Sequence, residues 1–459
     1  MNFQKNDTVT LRITDMGQNG EGIGKADGFT LFVKDTVIGD LAEVRITKVK
    51  KNYGYGRLMK LLEPSVSHVE APCPVARQCG GCQLQMLAYD EQLKFKEQKV
   101  RNDLQRIGGF AEIPMEPIMG MEDPWRYRNK AQFPVGTDRA GEPVAGFYAG
   151  RTHAIIPCDD CLLGVEENSR ILTLVLEWMK RFQIPAYDES NGRGLIRHIF
   201  LRKGFATGEI MVCLVINGKK LPAAEELIRL LRSIPGVAGI VLNVNRERSN
   251  VILGRKNIVL WGREDIMDRI GDISYQISPL SFFQINPVQT KKLYDTALEF
   301  ADLHGSEQVW DLYCGIGTIS LYMAQRAGHV YGVEIVPEAI EDAKKNAVLN
   351  NIENVSFYAG KSEEILPDYY RKEAAAGRKA TADVIVVDPP RKGCAPELLE
   401  TMLRMQPDRI VYVSCDPATL ARDLKILCAG GYQLVRVRCA DLFPHTIHVE
   451  TCVSLVRTA

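Results

Sequence analysis

The sequence has no excess of charge of either sign: 57 Lys and Arg stand against 57 Asp and Glu, and the formal net charge is zero. Bulk attraction to a polyanion is thereby excluded, so any affinity for nucleic acid must come from a local basic face. There is no apolar run of signal-peptide character at the start and no uninterrupted apolar stretch of about 18 residues, the length that reads as a membrane helix. The expectation is a cytoplasmic protein that does not enter a membrane. Internal repeats and low-complexity tracts are also lacking, and EAAAGRKA at 373–380 reads only as a helix end and exposed loop.

What is present is apolar content of 46% over 459 residues, too much for one ordinary core, so two or three domains are expected. Residues 1–62 alternate short apolar runs with glycines, the pattern of a small antiparallel barrel. Within them, residues 45–60 carry Arg45, Lys48, Lys50, Lys51, Arg57 and Lys60 with no acid, a candidate phosphate-contacting stretch. Tyr89 to Ile107 read as a charged helix, and 123–272 as a sheet-rich mixture with a hairpin over LIRHIFLRKGFATGEIMVCLVING. From about 273 strands and helices alternate, which predicts a parallel sheet covered on both faces.

In such a sheet the ligand crevice lies beyond the carboxyl ends of the strands. DLYCGIGT, Asp311 to Thr318, ends the first strand of this region; Gly315 and Gly317 would let the backbone approach an adenosyl ligand, and Asp311 would organise the turn. The dinucleotide fingerprint GxGxxG is absent. Glu334, closing HVYGVE, is placed to bind ribose hydroxyls, and Asp388 in VVDPPR closes a further strand.

Cys415, in YVSCDPATLARD, is the candidate nucleophile. A thiolate adds well to carbon 6 of a pyrimidine and can later leave, and its addition makes the otherwise inert carbon 5 electron-rich enough to take a methyl group. A base must then remove the proton from carbon 5. Glu450 in TIHVETCVSL is a candidate, with His445 and His448 as rivals, since imidazole titrates near neutrality.

Twelve cysteines include the compact set Cys73-x5-Cys79-Gly-Gly-Cys82, with Cys158 and Cys161 further on. The other cysteines fall mostly in predicted core strands, a usage that fits a reducing compartment and metal ligation better than disulfides. Thiolate sets hold zinc or iron and sulfur, and spacing does not choose between them. Four protein thiolates would leave no open iron, which favours a structural or RNA-positioning role over radical chemistry.

Together these motifs give the chain a resemblance, over nearly its whole length, to the RNA uracil-5-methyltransferases, particularly the bacterial 23S ribosomal RNA enzymes with an iron–sulfur cluster. Residues 1–62 resemble the TRAM RNA-binding barrel, CPVARQCGGC with Cys161 resembles the family's 4Fe-4S ligand set, and FFQIN, DLYCGIGT, GVE, VVDPPR and SCDPATLARD resemble its catalytic motifs. The resemblance implies an α/β Rossmann-like class I methyltransferase domain with an N-terminal TRAM/OB-like β-barrel and a sheet-rich central domain. It implies that Gln284, Tyr313, Glu334 and Asp388 touch S-adenosylmethionine, that Cys415 is the nucleophile, and that Glu450 is the base. Cys73, Cys79, Cys82 and Cys161 would be the cluster ligands, with Cys158 a spare. The implied domains are 1–62; 63–90 with 123–272, bearing the cluster and binding RNA; and 91–122 with 273–459, the methyltransferase.

The expected partner is structured RNA, 23S ribosomal RNA on the evidence of TRAM plus cluster, with no obligate protein partner. Three alternatives have their own signatures. A transfer-RNA uridine could be served by the same framework. A cytosine-5 enzyme would carry an acid near the ring and a different cysteine context. An inactive RNA-binding or redox-sensing protein would tolerate loss of Cys415 or Glu334, and both are present.

Overall fold

The structure is a computed structural model that describes residues 3–150, 152–377 and 382–458. Part of the loop expected at 373–380 lies outside the described residues.

Five strands, β1 (Thr8–Met16), β2 (Gly22–Ala26), β3 (Phe29–Lys34), β4 (Leu41–Val49) and β5 (Tyr53–Glu63), close into a barrel in the order β1-β2-β3-β5-β4. Leu11, Ile13, Leu31, Val33, Val44 and Ile46 point inward and fill it. Glycine is required where strands cross tightly: a Cβ at Gly24 would stand 2.5 Å from the carbonyl oxygen of Arg12. Closure leaves no free edge to pair with another chain.

After the cysteine-bearing loop comes α1 (Tyr89–Asp103), ending in a π-helical turn at Leu104–Gly108, and then β6 (Met115–Met119). The central segment supplies β7 (Lys130–Thr137), β8 (Pro143–Tyr148), β9 (Ile155–Pro157), α2 (Glu167–Arg181), β10 (Ile196–Lys203), β11 (Ile210–Ile216), α3 (Ala224–Leu231), β12 (Val237–Val244) and β13 (Lys256–Gly262). Its seven strands lie in the order β13-β12-β11-β10-β7-β8-β9. One face packs on α2 and α3 through residues such as Leu201, Leu214 and Trp178. The other contributes Phe200, Met211, Cys213 and Val241 to the core of the C-terminal region. Strands buried on both faces read as continuous apolar runs, and IMVCLVI of β11 is such a run.

A hairpin follows, β14 (Ile266–Ile270) and β15 (Ile273–Ile277). The change of period expected at about 273 falls inside it, and both strands bury their isoleucines in that same C-terminal core. Beyond lie α4 (Pro287–Ala301), β16 (Gln308–Leu312), α5 (Thr318–Ala324), β17 (His329–Glu334), α6 (Pro337–Leu349), β18 (Val355–Ala359), α7 (Ser362–Ala375), β19 (Val384–Val387), α8 (Pro396–Met405), β20 (Arg409–Ser414), α9 (Pro417–Ala429), β21 (Tyr432–Ala440) and β22 (Glu450–Arg457). They form an eight-stranded sheet in the order β18-β17-β16-β19-β20-β22-β21-β6.

Strands β16 to β20 are parallel, and β22 runs antiparallel between β20 and β21. Strand order reverses between β16 and β19, so the crevice opens there. Helices α4, α6, α8 and α9 each begin with proline, whose missing N–H is one that a helix start leaves unbonded anyway. No helix among the described residues is long and apolar enough to cross a membrane.

Candidate active site

The turn after β16 is built to face a ligand. Gly315 and Gly317 take φ of +54° and +83°, and Tyr313 takes +138°, a strained value for a residue with a side chain. A Cβ on Gly315 would meet no atom within 4 Å, so its backbone borders open space. Glu334, at the end of β17, accepts the Gly315 N–H at 3.2 Å and the Val336 N–H at 3.0 Å, one on each oxygen. Lone pairs remain on both oxygens for hydroxyl donors.

Asp311 is fully buried below this turn; its Oδ2 accepts the Ser320 hydroxyl at 2.6 Å and its Oδ1 has no partner. Burial, reinforced by Glu334, pushes its carboxyl up to about 7. Asp388, beyond the end of β19, is likewise pushed up to about 7 by burial and by Asp311. The Gln284 amide reaches Asp388 Oδ2 at 3.5 Å. Gln284 is held from behind: Asn129 donates its side-chain amide to the Gln284 carbonyl and its backbone N–H to Ile285, both at 2.9 Å.

Cys415 follows β20 directly, and Asp416 after it caps α9 by accepting the N–H groups of Ala418 and Thr419. Burial pushes the Cys415 thiol up to about 12; Glu450 and Asp388 add to the rise and Arg391 opposes it. Glu450 opens β22, is 3% exposed, and its Oε2 has no hydrogen-bond partner. Burial, then Asp388, raises its carboxyl far above the usual range, again against Arg391. Cys415, Glu450 and Asp388 therefore share one pocket of negative potential, with Arg391 as the cation facing it. Arg391 is a site residue that the sequence reading passed over; its place after the two prolines of VVDPPR was the available signal.

The rival histidines are placed differently. His445 stacks on Trp125 at 3.7 Å between ring centroids, and its Nδ1 lies 3.2 Å from the Gln92 amide. Its carbonyl accepts N–H groups from Gln83 and Leu84 of the cysteine-bearing loop, both at 3.0 Å. His448 packs edge-on against Phe443 and is surrounded by Arg391, Lys99, Lys96 and Arg128. Burial lowers both imidazoles to about 4.

In the cysteine-bearing loop, burial raises the Cys79 thiol, with Cys161 and Cys73 adding to the rise. Burial pushes Cys82 up to about 12, with Cys161 and Cys79 adding. Cys161 is itself raised by burial and feels Cys73. Thus Cys79, Cys82 and Cys161 each feel at least one other thiol of the candidate set, and Arg128 is the cation that opposes the rise at all three. Cys158 shares that neighbourhood, raised to about 12 by burial and by Cys161, Cys73 and Cys79. A metal's positive charge would offset the repulsion among the thiolates that its binding creates, so the donor types suit one. Among the described residues, however, no group of three or more His, Cys, Asp or Glu side chains is arranged to hold a metal ion.

The six basic residues of 45–60 lie along β4, β5 and the turn between them, and all six are exposed. Among the described residues none of the six enters an ion pair.

A parallel sheet with a glycine turn and a strand-end acid at its switch point, extended by an antiparallel pair, is the architecture of a class I methyltransferase. The comparisons narrow this class. The model of the tRNA (uracil-5-)-methyltransferase family matches residues 206–458, and that of the TRAM domain matches residues 3–59. An uncharacterized RNA methyltransferase of Halalkalibacterium halodurans is 52% identical over 98% of this chain and 97% of its own length. One of Clostridium tetani is 51% identical over 98% of this chain and 96% of its own. Among solved structures, the tRNA (uracil-54, C5)-methyltransferase of Pyrococcus abyssi, in complex with S-adenosyl-L-homocysteine, superposes with a TM-score of 0.77. It is 30% identical and covers 97% of this chain and 99% of its own. This chain belongs to the tRNA (uracil-5-)-methyltransferase family: it is an S-adenosylmethionine-dependent RNA methyltransferase whose N-terminal barrel is a TRAM domain.

Proposed function

We propose that the protein methylates carbon 5 of a uridine in 23S ribosomal RNA through a covalent adduct of Cys415 at carbon 6. The observation that carries this reading is the grouping of Cys415 with Glu450 and Asp388 beside the glycine turn. S-adenosylmethionine supplies the electrophilic methyl group, held by Glu334, Gln284, Asp388, Tyr313 and the backbone of Gly315 and Gly317. The Cys415 thiol loses its proton and its sulfur bonds to carbon 6, which places the electron pair at carbon 5. Carbon 5 takes the methyl group, and the donor leaves as S-adenosylhomocysteine. Glu450 then accepts the proton of carbon 5, the carbon–sulfur bond breaks, and the double bond returns. Glu450 is preferred to His445 and His448 because it is the group whose charge Cys415 feels.

The same proposal assigns 1–62 and the central segment, 63–90 with 123–272, to RNA contact, and 91–122 with 273–459 to catalysis. It gives Cys73, Cys79, Cys82 and Cys161 to a 4Fe-4S cluster that would tie the loop bearing the first three to the segment between β9 and α2 that bears Cys161. A second reading, a transfer-RNA uridine, is favoured by the family's name and by the P. abyssi enzyme. The experiment is nucleoside mass spectrometry of purified 23S and transfer RNA, each incubated with the protein and methyl-labelled S-adenosylmethionine. Label in 5-methyluridine from 23S RNA alone supports the first reading, label from transfer RNA alone replaces it, and label in 5-methylcytidine overturns both.

A further inference from the structure

Strand residues alternate in direction, so Arg128, Lys130 and Gln132 project to one side of β7 and the residues leading into it. All three line a cavity of about 210 Å³, together with Ala131, Phe147, Gly164, Ile285 and the candidate cluster ligand Cys161. Arg202 of β10 stands directly opposite Lys130 in the antiparallel register. Like charges directly opposite one another in a sheet are destabilising unless something between them carries the other sign. Nothing does: among the described residues the Lys130 side chain has no hydrogen bond or ion pair, and neither Arg128 nor Arg202 pairs with an acid. Arg202 is spent on the carbonyls of Ser278 and Ser281, at 3.1 and 3.0 Å. The Nε of Arg128 is buried without a partner. Burial, then Arg202 and Arg128, pushes the Lys130 ammonium down to about 8, so an anion would be welcomed for restoring its charge.

The cavity is joined to the active site by one residue. Asn129, between Arg128 and Lys130, makes the two bonds that hold Gln284 and Ile285. We propose that Lys130, with Arg128 and Gln132, forms a binding site for a backbone phosphate of the RNA, next to the nucleotide that enters the crevice. Phosphate contacts fix register and orientation rather than sequence. Lys130 is therefore a positioning residue that sets which nucleotide reaches Cys415. The proposal rests on RNA as the substrate, and is independent of which uridine is methylated.

The test is Lys130→Gln in the full-length protein, with a labelled RNA hairpin bearing a uridine loop as probe and affinity measured across a salt series. K130Q should bind about tenfold more weakly near 0.15 M salt and lose about 0.7 to 0.9 from the slope of log affinity against log salt, as one phosphate contact dictates. K130R should restore both, and equilibrium dialysis should find S-adenosylmethionine binding unchanged. An unchanged slope in folded K130Q overturns the site, as does loss of bound iron with RNA binding intact, since the cations would then serve the cysteine loop. Failure of the wild-type protein to bind the hairpin overturns it too. A reduced slope in K130Q, alongside a wild-type protein that forms no 5-methyluridine, would keep the phosphate site and remove the uracil reading.

Discussion

The ammonium of Lys96 and the carboxylate of Asp441 meet at 2.5 Å with neither side chain exposed, and so fasten α1 to the segment that leads into Glu450. Asp441 also accepts the Tyr89 hydroxyl at 3.0 Å, and Lys96 donates to the Phe443 carbonyl at 2.9 Å. An ion pair this deep adds little net stability when intact, yet breaking it strands a charge.

Lys96→Met should accordingly destabilise the protein by roughly 3–5 kcal/mol, measured by denaturant unfolding. The double variant with Asp441→Asn should recover part of the loss, because a neutral amide still accepts from Tyr89. Equal instability of the single and double variants would mean that packing, not charge, decides the site.

Cys415→Ala should retain S-adenosylmethionine binding while abolishing methylation and any covalent RNA complex. Glu450→Gln should slow turnover about 10²- to 10⁴-fold and trap RNA on the protein, visible as a shifted band on a denaturing gel. Methylation by C415A would end the covalent mechanism, and E450Q without a trapped complex would reassign the base.

The thiol of Cys415 must shed a proton that burial holds to about pH 12, so kcat/KM should rise with pH between 7 and 9, up to tenfold per unit. Arg391→Gln removes the cation that opposes this rise and should lower kcat/KM at pH 7.5 roughly 3- to 10-fold. A flat pH profile in both proteins would show that proton loss from Cys415 does not limit the reaction.

Asp311 titrates near 7 in the folded protein and near about 3.9 when unfolded. Its folded pKa is raised, so the stability it contributes is full below about pH 4 and is lost as pH rises through 7. Asp311→Asn, which keeps an acceptor for Ser320 and cannot ionise, should flatten the fall in melting temperature between pH 5 and 8. A fall as steep as in the wild type would place the titration elsewhere.

Protein prepared without oxygen should carry about four irons per chain. Replacing Cys161 should remove them, and replacing Cys158 should leave them largely in place. Because Cys158 faces the same thiols, loss of iron in both variants would make it a ligand. One zinc and no iron would replace the cluster altogether.

The parallel sheet was readable because each strand of β16 to β20 is a short apolar run followed by a polar turn and a helix, with acids or glycines closing the run. Asp311, Glu334 and Asp388 stand out for that reason. The glycines of the barrel were equally plain. Other features are settled by contacts that no local pattern encodes. Strand β22 slips between β20 and β21, which brings Glu450 to Cys415 although TIHVETCVSL reads as an unremarkable strand. Arg391 was overlooked because its role is to face two acids from a loop. RYRNKAQF shows basic residues on alternate positions, but only the approach of Phe147, Cys161 and Ile285 from distant parts of the chain makes a cavity beside them. The residues alone left Glu450 and the histidines open, and the family resemblance favoured Glu450; that His445 is engaged by Trp125 and Gln92 is a contact no local pattern encodes.

The bonds between His445 and the cysteine-bearing loop reach across most of the polypeptide, since the N–H groups of Gln83 and Leu84 both find its carbonyl near the far end of the chain. During synthesis the loop emerges in the first fifth of the chain and waits for partners near the end. Until then those N–H groups lack their acceptor, and the entropic cost of closing so long a loop grows only with the logarithm of its length. A chain stopped before His445 would thus leave more than a truncated enzyme: Gln83 and Leu84 would lose the carbonyl that both share, so the order of an early loop depends on a residue made far later.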